Sequence, residues 1–385
     1  MQGAPATPTP AAARSVARAF SLEGEPLHAE RLGSGHIHDT FAIHVATPGR
    51  ARRYVLQRLH GGVFADPEAL MVNLVRVTSH LAAKLARAEV PDRERRALTL
   101  VPERGGRAFH RDADGTCWRC FDLIEDSVAI DSAPTPAQAF EAARAFGAFL
   151  VALADLSEPP LAEVIPHFHD FPRRLAALEA ALREDPHGRA RAVGAEADAA
   201  RASAERLSLA LGAAGAWDLP LRTVHNDCKV NNVLLDARSG EGLCVIDLDT
   251  VMPGNVLADF GDLVRTAAST APEDARDLER VGFDRVGFEA LARGYLAVAG
   301  SLLLPSELRA LPLAGPLLAL ENAVRFLADH VQGDRYFRIH RPAHNLDRAR
   351  AQLRLAGHML EATSETQAVV LRLAREGARG VGPAG

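Results

Sequence analysis

The sequence predicts an α+β chain of two lobes, a small β-rich N-terminal lobe with one main helix and a larger, mostly helical C-terminal lobe. Three observations predict it. Alternating apolar segments crowd the first third, as strands require. Apolar residues recur at helical spacing through most of the remainder. No internal repeat or charge block divides the 385 residues otherwise.

Taken in order, residues 1–24 are rich in Pro, Ala and Thr and read as a disordered tail. Pro26 to Val45 reads as two short strands around the turn GSGHIHDT, and Arg52 to Leu59 alternates as a third. Asp66-Pro67 is an N-cap followed by proline at the first helical position. Behind it Leu70, Leu74, Val77, Leu81 and Leu85 form the stripe of the lobe's main helix. ALTLVPE and TCWRCFDLIED complete a β-β-β-α-β-β order, so the N-lobe is expected over residues 25–125. The C-lobe is expected over residues 126–362, with helices at Thr135-Pro136 onward, Pro172 to Arg183 and Ala195 to Leu211. Buried strands follow at VLL near Val233 and at LCVIDLD, and helices resume from Phe288. Residues 363–385 read as a helix end and a frayed tail.

Composition excludes several classes. The net charge of −5, with acidic and basic residues interleaved, provides no field for nucleic acid or a membrane surface. The N-terminus has no continuous apolar core of a secretory signal. Leu302 to Leu320 is interrupted by Pro305, Glu307, Arg309, Pro312 and Pro316, so it is not expected to span a bilayer, and a cytoplasmic location is the default. No obligate protein partner is indicated. Cys117 and Cys120 form a CxxC on a predicted strand, where residues three apart face opposite sides; without a second pair they read as packing residues.

The chemistry concentrates in HNDCKVNNVLL, His225 to Leu235. Asp227 and Asn232 stand five positions apart, the spacing of the kinase catalytic loop. In that chemistry the Asp orients a substrate hydroxyl and accepts its proton, and the Asn amide oxygen meets Mg²⁺. Lys229 could meet the transferring phosphoryl group as a point charge. LCVIDLD then buries a strand that ends in Asp247, twenty residues after Asp227, where a second hard-oxygen ligand is needed; Asp249 could share that role. Asp259-Phe260-Gly261-Asp262 spells the kinase DFG letters but lacks the buried strand before it. It reads as a helix start capped by Asp259 or Asp262. In the N-lobe, Gly33 and Gly35 would let backbone approach phosphate. His36 and His38 could face phosphate or substrate, and Asp39 follows them as an acceptor contact.

HNDCKVNN, VIDLDTVMPG and DFGDLVR resemble the aminoglycoside phosphotransferase superfamily, and within it the N-acetylhexosamine 1-kinase group. GSGHIHDTF, YVLQRLH, VFADPEALMVN, IPHFHDFPRRL, ENAVRFLADHVQGDRYF and HNLDRARAQL extend that resemblance over Leu27 to Ala356. It implies a kinase-like bilobal fold. It also implies transfer of the ATP γ-phosphate, with Mg²⁺, to the anomeric hydroxyl of an N-acetylhexosamine or related sugar. Asp227 would be the catalytic base, Asn232 and Asp247 the metal ligands, and Arg325 and Tyr336 would line the sugar pocket. One departure stands out. Gln57 occupies the place of the phosphate-binding lysine, and Arg58 follows it. The main helix also carries no glutamate at its middle, only Asn73, Arg76 and His80 as polar residues. Two other readings compete: a kinase of an aminoglycoside, choline or homoserine-like alcohol, and a nucleotide-binding pseudokinase.

Overall fold

The computed structural model describes residues 7–33, 38–47, 50–60, 64, 66–130 and 134–380. The chain divides into two compact units. One comprises Met1–Ser127 with Leu161–Ile165, and the other Val128–Pro160 with Pro166–Gly385.

The first unit opens with a helix, α1 (Pro10–Ala17), followed by strands β1 (Glu25–Arg31), β2 (Asp39–Thr47) and β3 (Arg50–Arg58). Then come α2 (Pro67–Arg87) and strands β4 (Leu100–Val101), β5 (His110–Arg111) and β6 (Cys117–Asp122). The sheet runs β1-β2-β3-β6-β4, with β5 also on β6, and every pairing is antiparallel. The expected disordered tail over residues 1–24 is corrected from residue 10 onward. Thr9 caps α1 through its hydroxyl, Pro10 opens it, and Ala13, Ala17 and Phe20 join the sheet's buried cluster with Phe41, Ile43, Tyr54, Leu56 and Trp118. Alanines on one face of a capped turn pack closely enough to outweigh the tail-like composition.

Asp66 caps α2 as expected, accepting from the Glu68 and Ala69 amides at 3.0 Å each. At mid-helix, Asn73 is buried at 2% exposure and clamps Ala162 of the returning segment. Its amide nitrogen donates to the Ala162 carbonyl and its oxygen accepts from the Ala162 amide. Cys117 and Cys120 are buried free thiols on β6.

The second unit contains β7 (Ser127–Ala129) at its start, then α3 (Pro136–Leu153), α4 (Phe171–Glu184) and α5 (Gly194–Ala214). The short strands β8 (Arg222–Val224), β9 (Val233–Asp236), β10 (Gly242–Val245) and β11 (Met252–Gly254) follow. Six helices end the unit: α6 (Val256–Ala267), α7 (Arg285–Ala299), α8 (Pro305–Ala310), α9 (Ala314–Val331), α10 (His344–Glu361) and α11 (Thr363–Gly380). β10-β9-β7 form one sheet and β11-β8 another. Helices α3 and α7 approach closely because glycine lines the contact: a Cβ on Gly147 would stand 2.8 Å from the Tyr295 carbonyl oxygen. The apolar run Pro305–Val331 has the length and composition to cross a membrane, but 89% of its apolar 18-residue window is buried inside the protein, as in a core helix. Residues 363–380 form helix α11 with Val370 and Leu373 buried, and residues 381–385 of the expected frayed tail lie outside the described residues.

Candidate active site

Between β8 and β9 the chain cannot continue a strand, because Asn226 takes a left-handed conformation with φ 65°. Its side chain stabilises that bend by donating to the Thr250 carbonyl at 3.0 Å. His225 is fully buried against Phe146 and Phe149. Its Nε2 faces the Ile246 carbonyl at 3.0 Å and its Nδ1 faces the Asp227 amide at 3.3 Å, which places the ring proton on Nε2. His225 therefore braces the loop.

This bend presents Asp227. One carboxylate oxygen meets Lys229 Nζ at 2.6 Å and the other accepts from Asn232 Nδ2 at 3.1 Å. Asn232 also donates to the Asp227 carbonyl at 2.9 Å, so the five-residue spacing closes a compact ring. Burial pushes the Asp227 carboxyl up, but the charges of Lys229 and Arg265 outweigh it and hold it below the ordinary 3.8. Burial likewise pulls Lys229 down, and Asp227 with Asp262 more than offsets this, keeping the ammonium charged. A base with a lowered pKa is ionised across the neutral range and is lost only when pH falls through the lowered value. Turnover should therefore show no acid limb from Asp227 above about pH 4, which a kcat profile against pH will check.

Asp247 reaches the same place from β10. The Ile246 amide donates to the Asn232 carbonyl at 2.9 Å and its carbonyl accepts from His225. The next residue, Asp247, turns out with φ 59° and ψ 58° and is exposed. Asp249 lies in the following turn and is buried at 3% exposure. Asn232 and Asp247 carry the oxygen donors that a hard divalent cation takes, while among the described residues no group of three or more His, Cys, Asp or Glu forms a metal cluster. The Asn232 amide nitrogen is committed to Asp227, which leaves its oxygen for a metal, and Asp247 adds a carboxylate.

Asp259 does not cap a helix. Asn255 caps α6 by accepting from the Leu257 amide, while Asp259 sits inside α6 at 2% exposure. Its two oxygens accept from the His225 amide at 3.0 Å and the Asn226 amide at 2.7 Å. The DFGD segment thus pins the two residues ahead of Asp227. Asp262, also within α6, pairs with Arg265 at 2.8 Å.

In the first unit, Gly33 adopts φ 72° with open space around its missing Cβ; Gly35 and His36 lie outside the described residues. His38 stacks on Phe64 and accepts from the His60 amide. Gln57 is built into a polar chain: it donates to Thr40 Oγ1 at 3.2 Å and accepts from Arg119 Nε at 2.9 Å. Arg119, opposite Gln57 on β6 and 1% exposed, was not singled out in the sequence because it hides in a run of apolar residues. Arg58 and Asp39 face each other across β3 and β2 and form an ion pair at 2.6 Å.

A family model described as a phosphotransferase enzyme family, APH, matches residues 28–297. The chain belongs to this family. It is a small-molecule phosphotransferase of the kinase-like fold. Among solved structures it is similar to a microcompartment-associated aminopropanol kinase, at 15% identity over 95% of this chain and 97% of that one, with a TM-score of 0.58. It is also similar to a spectinomycin phosphotransferase in complex with ADP and spectinomycin, at 10% identity over 94% and 100%, with a TM-score of 0.54. An aminoglycoside phosphotransferase from Alicyclobacillus acidocaldarius matches at 16% identity over 97% and 98%, with a TM-score of 0.50.

In this APH-family kinase, Arg325 and Tyr336 come together. The Arg325 guanidinium lies over Phe168, Tyr336 and Phe337 at 5.7, 5.9 and 5.3 Å from the ring centres. Buried Asp329 shapes the turn that presents two of those rings by accepting from the amides of Arg335, Tyr336 and Phe337. A cavity of about 360 Å³ opens beside Lys229, lined among others by Arg265, Thr266, Ser269, Glu273 and Gln352. Arg265 is held there by Asp262, Glu273 and Gln352. Asp259, Arg265, His169 and Glu321 were missed as site residues in the sequence. All four stand in stretches that carried the family resemblance, but the partners of Asp259 and His169 lie far along the chain, where no local spacing points to them.

Proposed function

We propose that this kinase transfers the ATP γ-phosphate to a hydroxyl of a small neutral or anionic acceptor, in first place the anomeric 1-hydroxyl of an N-acetylhexosamine or related sugar. The observation that carries this reading is the Arg325 cage. Aromatic faces that would stabilise an ammonium group on an amino-alcohol are already occupied by the protein's own guanidinium. The cavity beside Lys229 supports it, since two cations, Lys229 and Arg265, line it against one carboxylate, Glu273. Its volume is that of a site for a small ligand.

Asp227 orients the acceptor hydroxyl and takes its proton as the new bond to phosphorus forms. Lys229, charged and 2.6 Å from Asp227, meets the transferring phosphoryl oxygens. Asn232 and Asp247, with Asp249 behind them, would hold Mg²⁺, which when bound neutralises phosphate charge. Gly33, Gln57 and Arg58 are the nucleotide-side residues of the first unit, and in the second unit Arg325 and Tyr336 serve the acceptor. Glu273 favours one second reading, an amino-alcohol whose ammonium pairs with it.

ADP release will be measured with N-acetylgalactosamine, N-acetylglucosamine, galactose, choline, homoserine, aminopropanol and kanamycin. Turnover should be highest with an N-acetylhexosamine, and Arg325→Ala should raise KM for that sugar at least about tenfold. Turnover confined to the amine-bearing acceptors would overturn the sugar reading.

A further inference from the structure

His169 lies just ahead of α4, whose N-cap Asp170 fixes the chain direction by accepting from the Arg173 amide at 3.0 Å. Its ring is nearly enclosed and rests on Phe168 at 4.4 Å. Both ring nitrogens face acceptors: Nδ1 faces Glu321 Oε1 on α9 at 2.9 Å, and Nε2 faces the Asn226 carbonyl at 2.9 Å. Two acceptors on one imidazole require two N–H donors, so the geometry calls for the imidazolium. Glu321 is 1% exposed, and its second oxygen has no hydrogen-bond partner, so the ring is its compensating charge.

We infer that His169 is a positioning residue for phosphoryl transfer, acting as a charged clip between Glu321 of α9 and the carbonyl immediately before Asp227. This rests on the reading of Asp227 as the catalytic base. Asp259 fixes the amide side of residues 225 and 226. His169 fixes the carbonyl that leads into Asp227, so the loop is held from both sides. The clip also reaches toward the acceptor residues. Phe168 lies under Arg325, and Arg325 stands one helical turn after Glu321 on α9. Acceptor contacts at Arg325 and the orientation of Asp227 are thereby joined through neighbouring residues.

The charged groups around the ring are Glu321 from α9 and Asp262 from α6. On its own segment Asp170 and Arg174 follow, the Arg174 guanidinium being bonded to the His167 and Phe168 carbonyls. Burial alone would lower the ring's pKa; Glu321, the Asn226 carbonyl and Asp262 outweigh it and raise it above the usual 6.5. The sign follows: the clip is complete below that value and is released as pH rises through the raised one.

Two measurements on the full chain test this. Side-chain ¹H–¹⁵N NMR of ¹⁵N-histidine protein, assigned by His169→Gln, should show both His169 nitrogens predominantly protonated at pH 6.5. In steady-state kinetics His169→Gln should lower kcat by about 10- to 100-fold, the effect expected of a misplaced base, with KM for ATP within about twofold. Glu321→Gln should move the alkaline limb of kcat to lower pH. A His169 ring that carries only one proton at pH 6.5 overturns the inference. So does full kcat with an unchanged pH profile in both variants when Asp227→Ala is inactive. Activity retained in Asp227→Ala overturns the catalytic-loop reading and, with it, the role of the clip.

Discussion

Asp227→Ala is expected to lower kcat by about 10²- to 10⁴-fold, the span that a positioned general base supplies. The loss arises at three points. The carboxylate that accepts the hydroxyl proton disappears. The Lys229 ammonium loses its partner at 2.6 Å. The Asn232 side-chain amide keeps its bond to the Asp227 carbonyl but loses the one to the carboxylate. Nucleotide affinity should move far less, because the variant removes the group assigned to the acceptor hydroxyl and leaves in place Asn232, Asp247 and Lys229, the residues assigned to metal and phosphate. Steady-state kinetics with the best acceptor, paired with ADP binding by calorimetry, will separate the two. An equal loss in kcat and in ADP affinity would mean that Asp227 holds the nucleotide and not the hydroxyl.

The second large effect is expected at Asp259. Its two oxygens satisfy two buried backbone amides, and Asp259→Ala leaves both without acceptors. Each orphaned buried donor costs about 1–3 kcal/mol, so the variant should lose about 2–6 kcal/mol of stability. Cys228 adds to the loss, since its thiol also hydrogen-bonds Asp259, and burial keeps that thiol protonated. Urea unfolding followed by circular dichroism will give the value. A midpoint unchanged within error would show that the His225 and Asn226 amides find other partners.

The sequence made the ring of Asp227, Lys229 and Asn232 legible because its logic is local. Asp227, Lys229 and Asn232 meet within six residues, and the strand that delivers Asp247 announces itself by its apolar run. Caps were legible for the same reason: Asp66 and Thr135 act on amides two or three residues away. The N-terminal helix carried the same signal in Thr9-Pro10, but its burying residues are alanines, whose small side chains leave no apolar stripe to read. Asp259 and His169 were opaque for a different reason. Their partners stand 34 and 152 residues away, and no local spacing encodes such a contact. Gln57 was read in the sequence at the place of a lysine, but its bond to Arg119 needed the β3–β6 register, which a sequence does not state.

The central claim is that Asp227 directs phosphate onto the anomeric hydroxyl of an N-acetylhexosamine, and phosphorus NMR of the reaction mixture tests it most directly. The account predicts a new sugar-phosphate resonance coupled to the anomeric proton, formed by the intact enzyme with ATP and Mg²⁺ and absent with Asp227→Ala. A phosphate resonance appearing only on amine-bearing alcohols, or persisting in Asp227→Ala, would contradict it.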